Sequence, residues 1–211
     1  MRYALRGLYI ITDKNLIPRG MFLETVEKAL RGGARIVQLR EKNSSHDEII
    51  RLGKGLLQIT RKYDVPLIIN DSPFLTKEIG ADGVHLGRDD PGIQEARKIL
   101  GSEAIIGASC YGEIERGIQA EKEGADYVAF GTPFFTPTKP ERKGTPFEVL
   151  RDAREKITKI PIFAIGGINW ENAPSVLETG VDGIAVITGV FGSPDPERAA
   201  RHLSSLFEAI K

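Results

Sequence analysis

The sequence contains a single cysteine, Cys110, and no run of apolar residues long enough to span a bilayer. One cysteine excludes an internal disulfide and a metal site built only from cysteines, which fits a reducing compartment. The chain also lacks an excess of charge of either sign, because 29 basic residues balance 29 acidic ones. This balance gives no general reason to expect a nucleic acid or a membrane as a partner. The amino terminus shows no secretory signal, so we expect a cytoplasmic protein that acts on small molecules.

The sequence does have a regular alternation of short apolar runs and longer amphipathic segments, which is typical of strand–helix units around a parallel sheet. The predicted strands are residues 8–12, 35–40, 67–70, 83–86, 104–108, 127–130, 162–165 and 183–187. The predicted helices are residues 21–31, 47–63, 93–100, 113–123, 146–157, 172–178 and 196–210, with a shorter one at 73–79. Eight units within 211 residues predict an α/β fold, a single (β/α)₈ TIM barrel domain over residues 1–211.

A weak internal repeat supports this count. A glycine, an alanine or valine, and a charged residue stand just before each even-numbered strand, at 33–35, 80–82, 124–126 and 180–182. Glycine at such a position can take the left-handed conformation that ends a helix, after which the chain enters the sheet. Four quarter-turns of two units each therefore close the barrel.

In barrels of this class the reaction site lies at the carboxyl ends of the strands. After the second predicted strand, Gln38, Arg40 and Lys42 alternate with Leu39 and Glu41, so the three polar residues share one direction if the strand extends that far. An inward-facing arginine and lysine would suit the oxygens of a diphosphate. The alternative is a solvated edge on which the basic residues pair with the glutamate.

Acidic residues follow the next two strands. Asn70 and Asp71 end the third strand, and Arg88, Asp89 and Asp90 follow the fourth. Carboxylates brought together need a cation, and Mg²⁺ accepts one or two carboxylates together with waters and phosphate oxygens. The alternative is that Asp71 and Asp90 cap the helices that follow them. The neighbouring basic residues favour the Mg²⁺ site.

Two further segments predict anion binding. The longest loop runs from about residue 131 to 145, contains Lys139, and is rich in proline and hydroxyl groups, as lids and ligand clamps often are. Gly166 and Gly167 after the seventh strand, with Thr188 and Gly189 after the eighth, match the phosphate site of such barrels, although they could also be simple turn formers. Two anion sites on one rim fit an enzyme that joins a diphosphate-bearing substrate to a monophosphate-bearing one.

These motifs together resemble the thiamine-phosphate synthase family along essentially the whole chain. The segments that carry the resemblance are residues 8–13, 38–42, 70–71, 81–90, 136–139 and 164–168, in that order. The resemblance implies a transferase that joins aminomethylpyrimidine diphosphate to a free or carboxylated thiazole phosphate, giving thiamine phosphate and diphosphate with the help of Mg²⁺. It also implies that diphosphate leaves before the thiazole nitrogen attacks, so that no general base on the protein is obligatory.

The resemblance also assigns residues by position. It assigns the pyrimidine diphosphate to Gln38, Leu39, Arg40, Glu41, Lys42, Asn70 and Lys139, and Mg²⁺ to Asp71 and Asp90. It places Ser109 near the reacting carbon and assigns the thiazole phosphate to Thr136, Pro137, Thr138, Gly167, Ile187 and Thr188. Arg40, Lys42 and Lys139 would stabilise the charge that grows on the leaving group, and they form the expected catalytic set together with Ser109.

Three residues depart from the family pattern. Thr188 stands where serine is common, which keeps a hydroxyl near the phosphate. Arg88 replaces a usual glutamine, which adds a positive charge beside Asp90. Tyr111 stands where histidine is frequent, so the role of the fifth strand is open.

Two other functions compete with a synthase. A thiazole tautomerase would share the carboxyl-terminal half, but it needs no diphosphate site and would favour a titrating histidine at the position of Tyr111. A phosphate-binding sensor would be free to lose the acids, which this chain keeps. Within the fourth strand, His85 is interpreted as a packed, hydrogen-bonded residue rather than a catalytic one. Trp170 either shields the thiazole pocket or covers the end of the barrel.

Overall fold

The strands form a closed parallel barrel in the order β1 to β8, with β8 paired to β1. The computed structural model describes residues 3–135 and 144–208, and the predicted (β/α)₈ fold is confirmed. The strands are β1 (Gly7–Ile11), β2 (Ile36–Leu39), β3 (Leu67–Asn70), β4 (Gly83–Leu86), β5 (Ile105–Tyr111), β6 (Tyr127–Gly131), β7 (Ile162–Ile165) and β8 (Gly183–Val186). The helices are α1 (Phe22–Arg31), α2 (His46–Lys62), α3 (Pro73–Ile79), α4 (Ile93–Leu100), α5 (Ile114–Glu123), α6 (Phe147–Lys156), α7 (Ala173–Leu177), α8 (Thr188–Phe191) and α9 (Pro196–Ser205). A 3-10 turn, Arg19–Met21, precedes α1.

Side chains alternate along each strand between two apolar layers. The outer layer lies between the strands and the helices and includes Leu8, Ile10 and Leu39. The inner layer fills the barrel, where the large rings of Tyr9 and Tyr127 are almost completely buried. A filled interior leaves room for a ligand only at an end of the barrel. Within the described ranges, no helix has the length and apolar character that crossing a membrane requires.

Several boundaries differ from those predicted. Strand β5 runs to Tyr111 rather than to 108, because its pairing with β6 continues beyond Ser109 through a bulge. Strand β2 ends at Leu39, so Arg40 and Lys42 lie beyond it rather than within a longer strand. Helix α9 ends at Ser205 rather than at 210. The four-residue helix α8 was not predicted, since so short a segment shows no helical periodicity.

The internal repeat has a structural role at the amino ends of the strands. Its glycines, at positions 33, 80, 124 and 180, all have positive φ angles, between 75° and 100°. In three repeats the aspartate accepts a hydrogen bond from the first N–H groups of the preceding odd-numbered strand. These bonds join Leu67 N to Asp82, Ile106 N to Asp126 and Ile162 N to Asp182, at 2.9, 2.7 and 2.8 Å. Each aspartate therefore links a helix end to two neighbouring strands.

The repeat predicts a stability effect at Asp126. Its carboxylate binds Ile106 N and also Arg97, at 2.7 Å each. Replacing Asp126 with alanine should lower the free energy of unfolding by about 2 kcal/mol, because a strand N–H loses its acceptor. Urea unfolding measures this change. The exposed pair of Glu24 and Lys28 gives the control, since Glu24→Ala should leave stability nearly unchanged; equal effects in both variants would contradict the role assigned to the repeat.

Candidate active site

A cavity of about 280 Å³ opens at the carboxyl ends of the strands, and every strand contributes to its lining. The strand residues in this lining are Tyr9, Ile11, Gln38, Asn70, His85, Ser109, Tyr111, Ala129, Ile165, Ala185 and Val186. The segments beyond the strands, including the first two residues of α8, add Arg40, Phe135, Gly166, Gly167, Ile168, Asn169, Ile187, Thr188 and Gly189. The cavity therefore lies at the end of the barrel where the sequence predicted the reaction site.

Only some of the residues predicted to bind the pyrimidine diphosphate line the cavity. Gln38, Arg40 and Asn70 line the cavity, while Lys42 lines a neighbouring depression of about 370 Å³ that Arg40 also borders. Leu39 points into the outer apolar layer instead. Glu41 is turned away to form a 2.6 Å ion pair with Arg19. The side chains of Leu39 and Glu41 therefore do not line the cavity, and their assignment to the diphosphate stays a prediction.

Two residues in the loop after β1, Thr12 and Asp13, hold Arg40 in place. The Arg40 backbone N–H donates to Thr12 Oγ1 at 3.0 Å, and its guanidinium lies 3.3 Å from Asp13 Oδ2. Both acceptors are buried. Because a partner fixes each end of the residue, the guanidinium is oriented before any ligand arrives.

Asp71 and Asp90 come together at the rim after β3 and β4. Burial, and then the charge and hydrogen bond of Asp90, raise the pKa of Asp71 from 3.8 to about 6, against the opposing effect of Lys42 and Arg40. The Asp90 carboxylate also accepts a 2.6 Å hydrogen bond from Gly87 N. Two carboxylates that repel one another are a donor set that a cation would stabilise.

Neither aspartate caps a helix, so that alternative is wrong. Ser72 caps α3 by accepting a hydrogen bond from Leu75 N, and Gly92 precedes α4. In the described part of the chain, no group of three or more histidine, cysteine or acidic side chains could hold a metal ion. The Asp71–Asp90 pair thus offers at most two carboxylates, which fits an ion such as Mg²⁺ that takes its other ligands from water and phosphate.

The raised pKa of Asp71 predicts a pH effect on the metal-free protein. Between about pH 4 and pH 6 the folded protein binds more protons at this carboxyl than the unfolded chain does. The contribution of Asp71 to the free energy of unfolding should therefore fall as the pH rises through this range. Urea unfolding in a chelator should show that Asp71→Asn removes the fall and that Asp152→Asn, at an exposed site on α6, retains it. An identical pH dependence in both variants would contradict the contact with Asp90.

The loop after β7 and the start of α8 form the opposite side of the cavity. Gly166 and Gly167 have φ angles of 119° and 62°, which side chains rarely allow. The carbonyl of Gly166 accepts a hydrogen bond from the Thr132 hydroxyl, and that of Gly167 accepts one from the Asn172 amide. Among the described residues the N–H groups of Gly166 and Gly167 have no hydrogen-bond acceptor, so the loop can offer them to an anion. Thr188 lines the same cavity.

Arg88 and Tyr111 form a separate cluster beside the cavity. Arg88 forms an ion pair with Glu113, and its guanidinium lies 5.0 Å from the centre of the Tyr111 ring. Glu113 thus pairs with the positive charge that Arg88 was expected to add beside Asp90. On the other side of the bulge, Arg116 donates to the carbonyls of Ser109 and Gly87, which links β5 to the loop after β4.

Four of the predicted residues, Thr136, Pro137, Thr138 and Lys139, lie outside the described residues. Ser109, Gly167, Ile187 and Thr188 all line the cavity. Sequence reasoning missed Tyr9 and Phe135 as lining residues. For Tyr9 the available signal was its spacing from Ile11. Residues two positions apart on a strand share one face, and both of these face the barrel interior. Trp170 is 63% exposed and does not line the cavity, so it does not cover the interior of the barrel.

A comparison with known families gives the identity of this barrel. The family model described as "Thiamine monophosphate synthase" matches residues 8–190. The chain belongs to this family. The resemblance found in the sequence is thereby confirmed. The match spans all eight strands and both sides of the cavity.

Curated relatives and a solved structure agree with the thiamine monophosphate synthase family. A thiamine-phosphate synthase of Nitrosococcus oceani is 48% identical over 95% of this chain and 92% of its own. One from Pyrococcus furiosus is 44% identical, with 96% and 95% covered. The solved structure of a thiamine phosphate pyrophosphorylase from Pyrococcus furiosus superposes with a TM-score of 0.88 at 43% identity, covering 97% of this chain and 96% of that one.

Proposed function

We propose that the protein is a thiamine-phosphate synthase. In this reaction the aminomethylpyrimidine group moves from its diphosphate to a free or carboxylated thiazole phosphate. Thiamine phosphate and diphosphate are formed, together with CO₂ when the thiazole is carboxylated. The observation that carries the proposal is one cavity that Arg40 and Asn70 line at the ends of β2 and β3, beside the Asp71–Asp90 pair, and that Gly166 and Gly167 line at the end of β7. A diphosphate and a monophosphate can therefore approach one another from opposite sides.

The diphosphate belongs on the side of Arg40, Lys42 and Asn70. In the proposed dissociative step the carbon–oxygen bond breaks, and its electron pair leaves with the diphosphate. Arg40 and Lys42 then face the growing negative charge, and a cation fixed in advance lowers the barrier because it need not reorganise during the reaction. Lys139, outside the described residues, is proposed to add a third positive charge.

Mg²⁺ is the proposed cofactor, held by Asp71 and Asp90. When bound, it supplies positive charge to the leaving diphosphate. The two carboxylates would bind and orient the ion, and the pKa of Asp71, which burial and then Asp90 raise, fits a pair that a cation would stabilise. Arg40 is held on the same side of the cavity by Asp13.

The thiazole phosphate belongs on the glycine-lined side. The N–H groups of Gly166 and Gly167 and the hydroxyl of Thr188 are the proposed phosphate contacts, with Ile187 against the ring. The nitrogen of the thiazole then attacks the pyrimidine cation, and no protein group has to remove a proton in this step. Thr136, Pro137 and Thr138 are proposed to complete this side. We also propose the cytoplasm as the compartment, since Cys110 is a buried free thiol.

The test is diphosphate release by the purified protein with both substrates and Mg²⁺, leaving out each substrate and the metal in turn. We expect release that requires all three components, with thiamine phosphate formed in equal amount. Proton exchange on thiazole phosphate alone, without diphosphate release, would instead indicate a tautomerase. Binding of thiazole phosphate without either reaction would indicate a sensor.

A further inference from the structure

A chain of hydrogen bonds crosses the barrel interior beneath the cavity. Gln38 Nε2 lies 2.5 Å from the Tyr9 hydroxyl, which lies 2.8 Å from the Tyr127 hydroxyl. That hydroxyl lies 2.9 Å from His85 Nδ1, and His85 Nε2 lies 2.9 Å from Ser109 Oγ. Five strands thus contribute one residue each. The chain connects a buried amide to a hydroxyl on the cavity wall.

The centre of this chain is buried and closely packed. Tyr127 is completely buried, and its ring stacks on His85 with 5.5 Å between centres. The ring lies directly against Gly107, where a Cβ atom would be only 2.0 Å away. Burial raises the pKa of the Tyr9 and Tyr127 hydroxyls above the ordinary value of 10.0, so both keep their protons at neutral pH.

The amide at one end sets the direction of the whole chain. With the Gln38 amide oriented so that Nε2 faces Tyr9, the amide donates and the Tyr9 oxygen accepts. The proton of Tyr9 then goes to Tyr127, and the proton of Tyr127 goes to His85 Nδ1. The reverse direction would leave the buried Tyr9 proton without an acceptor in the described part of the chain, at a cost of roughly 1–3 kcal/mol.

The same hydrogen-bond direction continues from His85 to Ser109 on the cavity wall. When Nδ1 accepts a hydrogen bond, a neutral imidazole carries its proton on Nε2 and donates it to Ser109 Oγ. The hydroxyl proton of Ser109 is then unused by the protein side of the chain. It points to the cavity, where its partner has to be an acceptor.

We propose that Tyr127 is a positioning residue that holds His85 in the Nε2–H tautomer and thereby directs the Ser109 hydroxyl proton to an anionic oxygen of the bound substrate. The last part rests on the proposed function, since it requires a substrate phosphate near Ser109. The tautomer itself is a property of the free protein. The two parts can therefore be tested separately.

The first test is the ¹⁵N NMR spectrum of the histidine rings in the substrate-free protein near neutral pH. The chain has three histidines, so His46→Gln and His202→Gln assign the signals. We expect the His85 ring to show an unprotonated Nδ1 and a protonated Nε2. A protonated Nδ1, in either the other tautomer or the imidazolium ion, would overturn the proposal without any variant of Tyr127.

The second test compares two tyrosine-to-phenylalanine variants in the same chain. In Tyr127→Phe the hydrogen bond to Nδ1 is lost, so the signal of the unprotonated Nδ1 should shift to that of a ring nitrogen without a hydrogen bond, and the preference for the Nε2–H tautomer should weaken. In Tyr9→Phe, which removes an equally buried hydroxyl, Tyr127 still donates to His85, and the tautomer should stay as in the original protein. Equal spectra for the two variants would overturn the role of Tyr127. Gln38→Glu places an acceptor where the amide donates and should reverse the direction, which gives the Nδ1–H form.

Kinetics of Tyr127→Phe test the last part of the proposal. We expect kcat to fall about 10–100-fold, the size typical of losing the partner that orients a site residue. The KM of the pyrimidine diphosphate should change less than about twofold, because the contact matters most as charge develops. An unchanged kcat with an altered tautomer would overturn the link to Ser109. If the original protein forms no thiamine phosphate, the proposed function fails, while the NMR result still decides the tautomer.

Discussion

Replacing Asp71 with alanine should lower the turnover of thiamine phosphate synthesis by about two to four orders of magnitude. The loss is this large because, in the proposed function, the Asp71 carboxylate holds the Mg²⁺ ion whose positive charge stabilises the leaving diphosphate. Its position depends on a left-handed backbone, with a φ angle of 67°, and on the hydrogen bond from its N–H to the His85 carbonyl. Steady-state diphosphate release at saturating substrates, measured over a series of Mg²⁺ concentrations, checks this prediction.

Two matched variants separate chemistry from stability. Asp71→Asn keeps the shape of the side chain and removes its repulsion with Asp90, so this variant should stay folded and still lose most of its turnover. Asp152→Ala, which removes an exposed carboxylate on α6, should leave turnover unchanged. The Mg²⁺ concentration at half-maximal rate should rise in Asp71→Asn. If turnover and Mg²⁺ dependence in Asp71→Asn match those of the original protein, Asp71 does not hold the ion.

The sequence predicted the fold and one rim of the site because both follow from repeating patterns. Alternation of short strands and helices fixed the barrel, and the rule that parallel barrels react at their carboxyl ends selected the residues after each strand. Gln38, Arg40, Ser109 and Thr188 line the cavity for that reason. The pairing of the two aspartates followed from the adjacency of β3 and β4 in the barrel.

The remaining parts of the site depend on contacts between distant segments. Tyr9 and Tyr127 are 118 positions apart, and a buried tyrosine on a strand looks in the sequence like any other core residue. The orientation of the Arg88 side chain depends on its ion pair with Glu113, which lies between β5 and α5. Side chains alternate between the two faces only within a strand. Because β2 ends at Leu39, Lys42 does not continue the direction of Gln38 and lines the neighbouring depression instead.

Replacing Gly167 with alanine should lower kcat/KM for the thiazole phosphate by about 100-fold. The new Cβ atom would lie 2.2 Å from the carbonyl oxygen of Phe135, at a φ angle of 62°. The loop after β7 and the segment after β6 would have to separate, and a shift of about 1 Å in a binding group can cost that factor. The KM of the pyrimidine diphosphate should change little, since Arg40 and Asn70 lie on the other side of the cavity.

A second glycine distinguishes a local steric effect from backbone strain. Gly80 also has a positive φ angle, 75°, but its Cβ position is open, and it lies at the amino end of β4, away from the cavity. Gly80→Ala should therefore cost about 1 kcal/mol of stability and leave both kinetic constants as they are. If Gly167→Ala weakens both substrates equally, the two phosphates do not occupy opposite sides of the cavity. A selective loss for the thiazole phosphate would place the monophosphate beside Gly167, where the loop after β7 approaches the segment after β6.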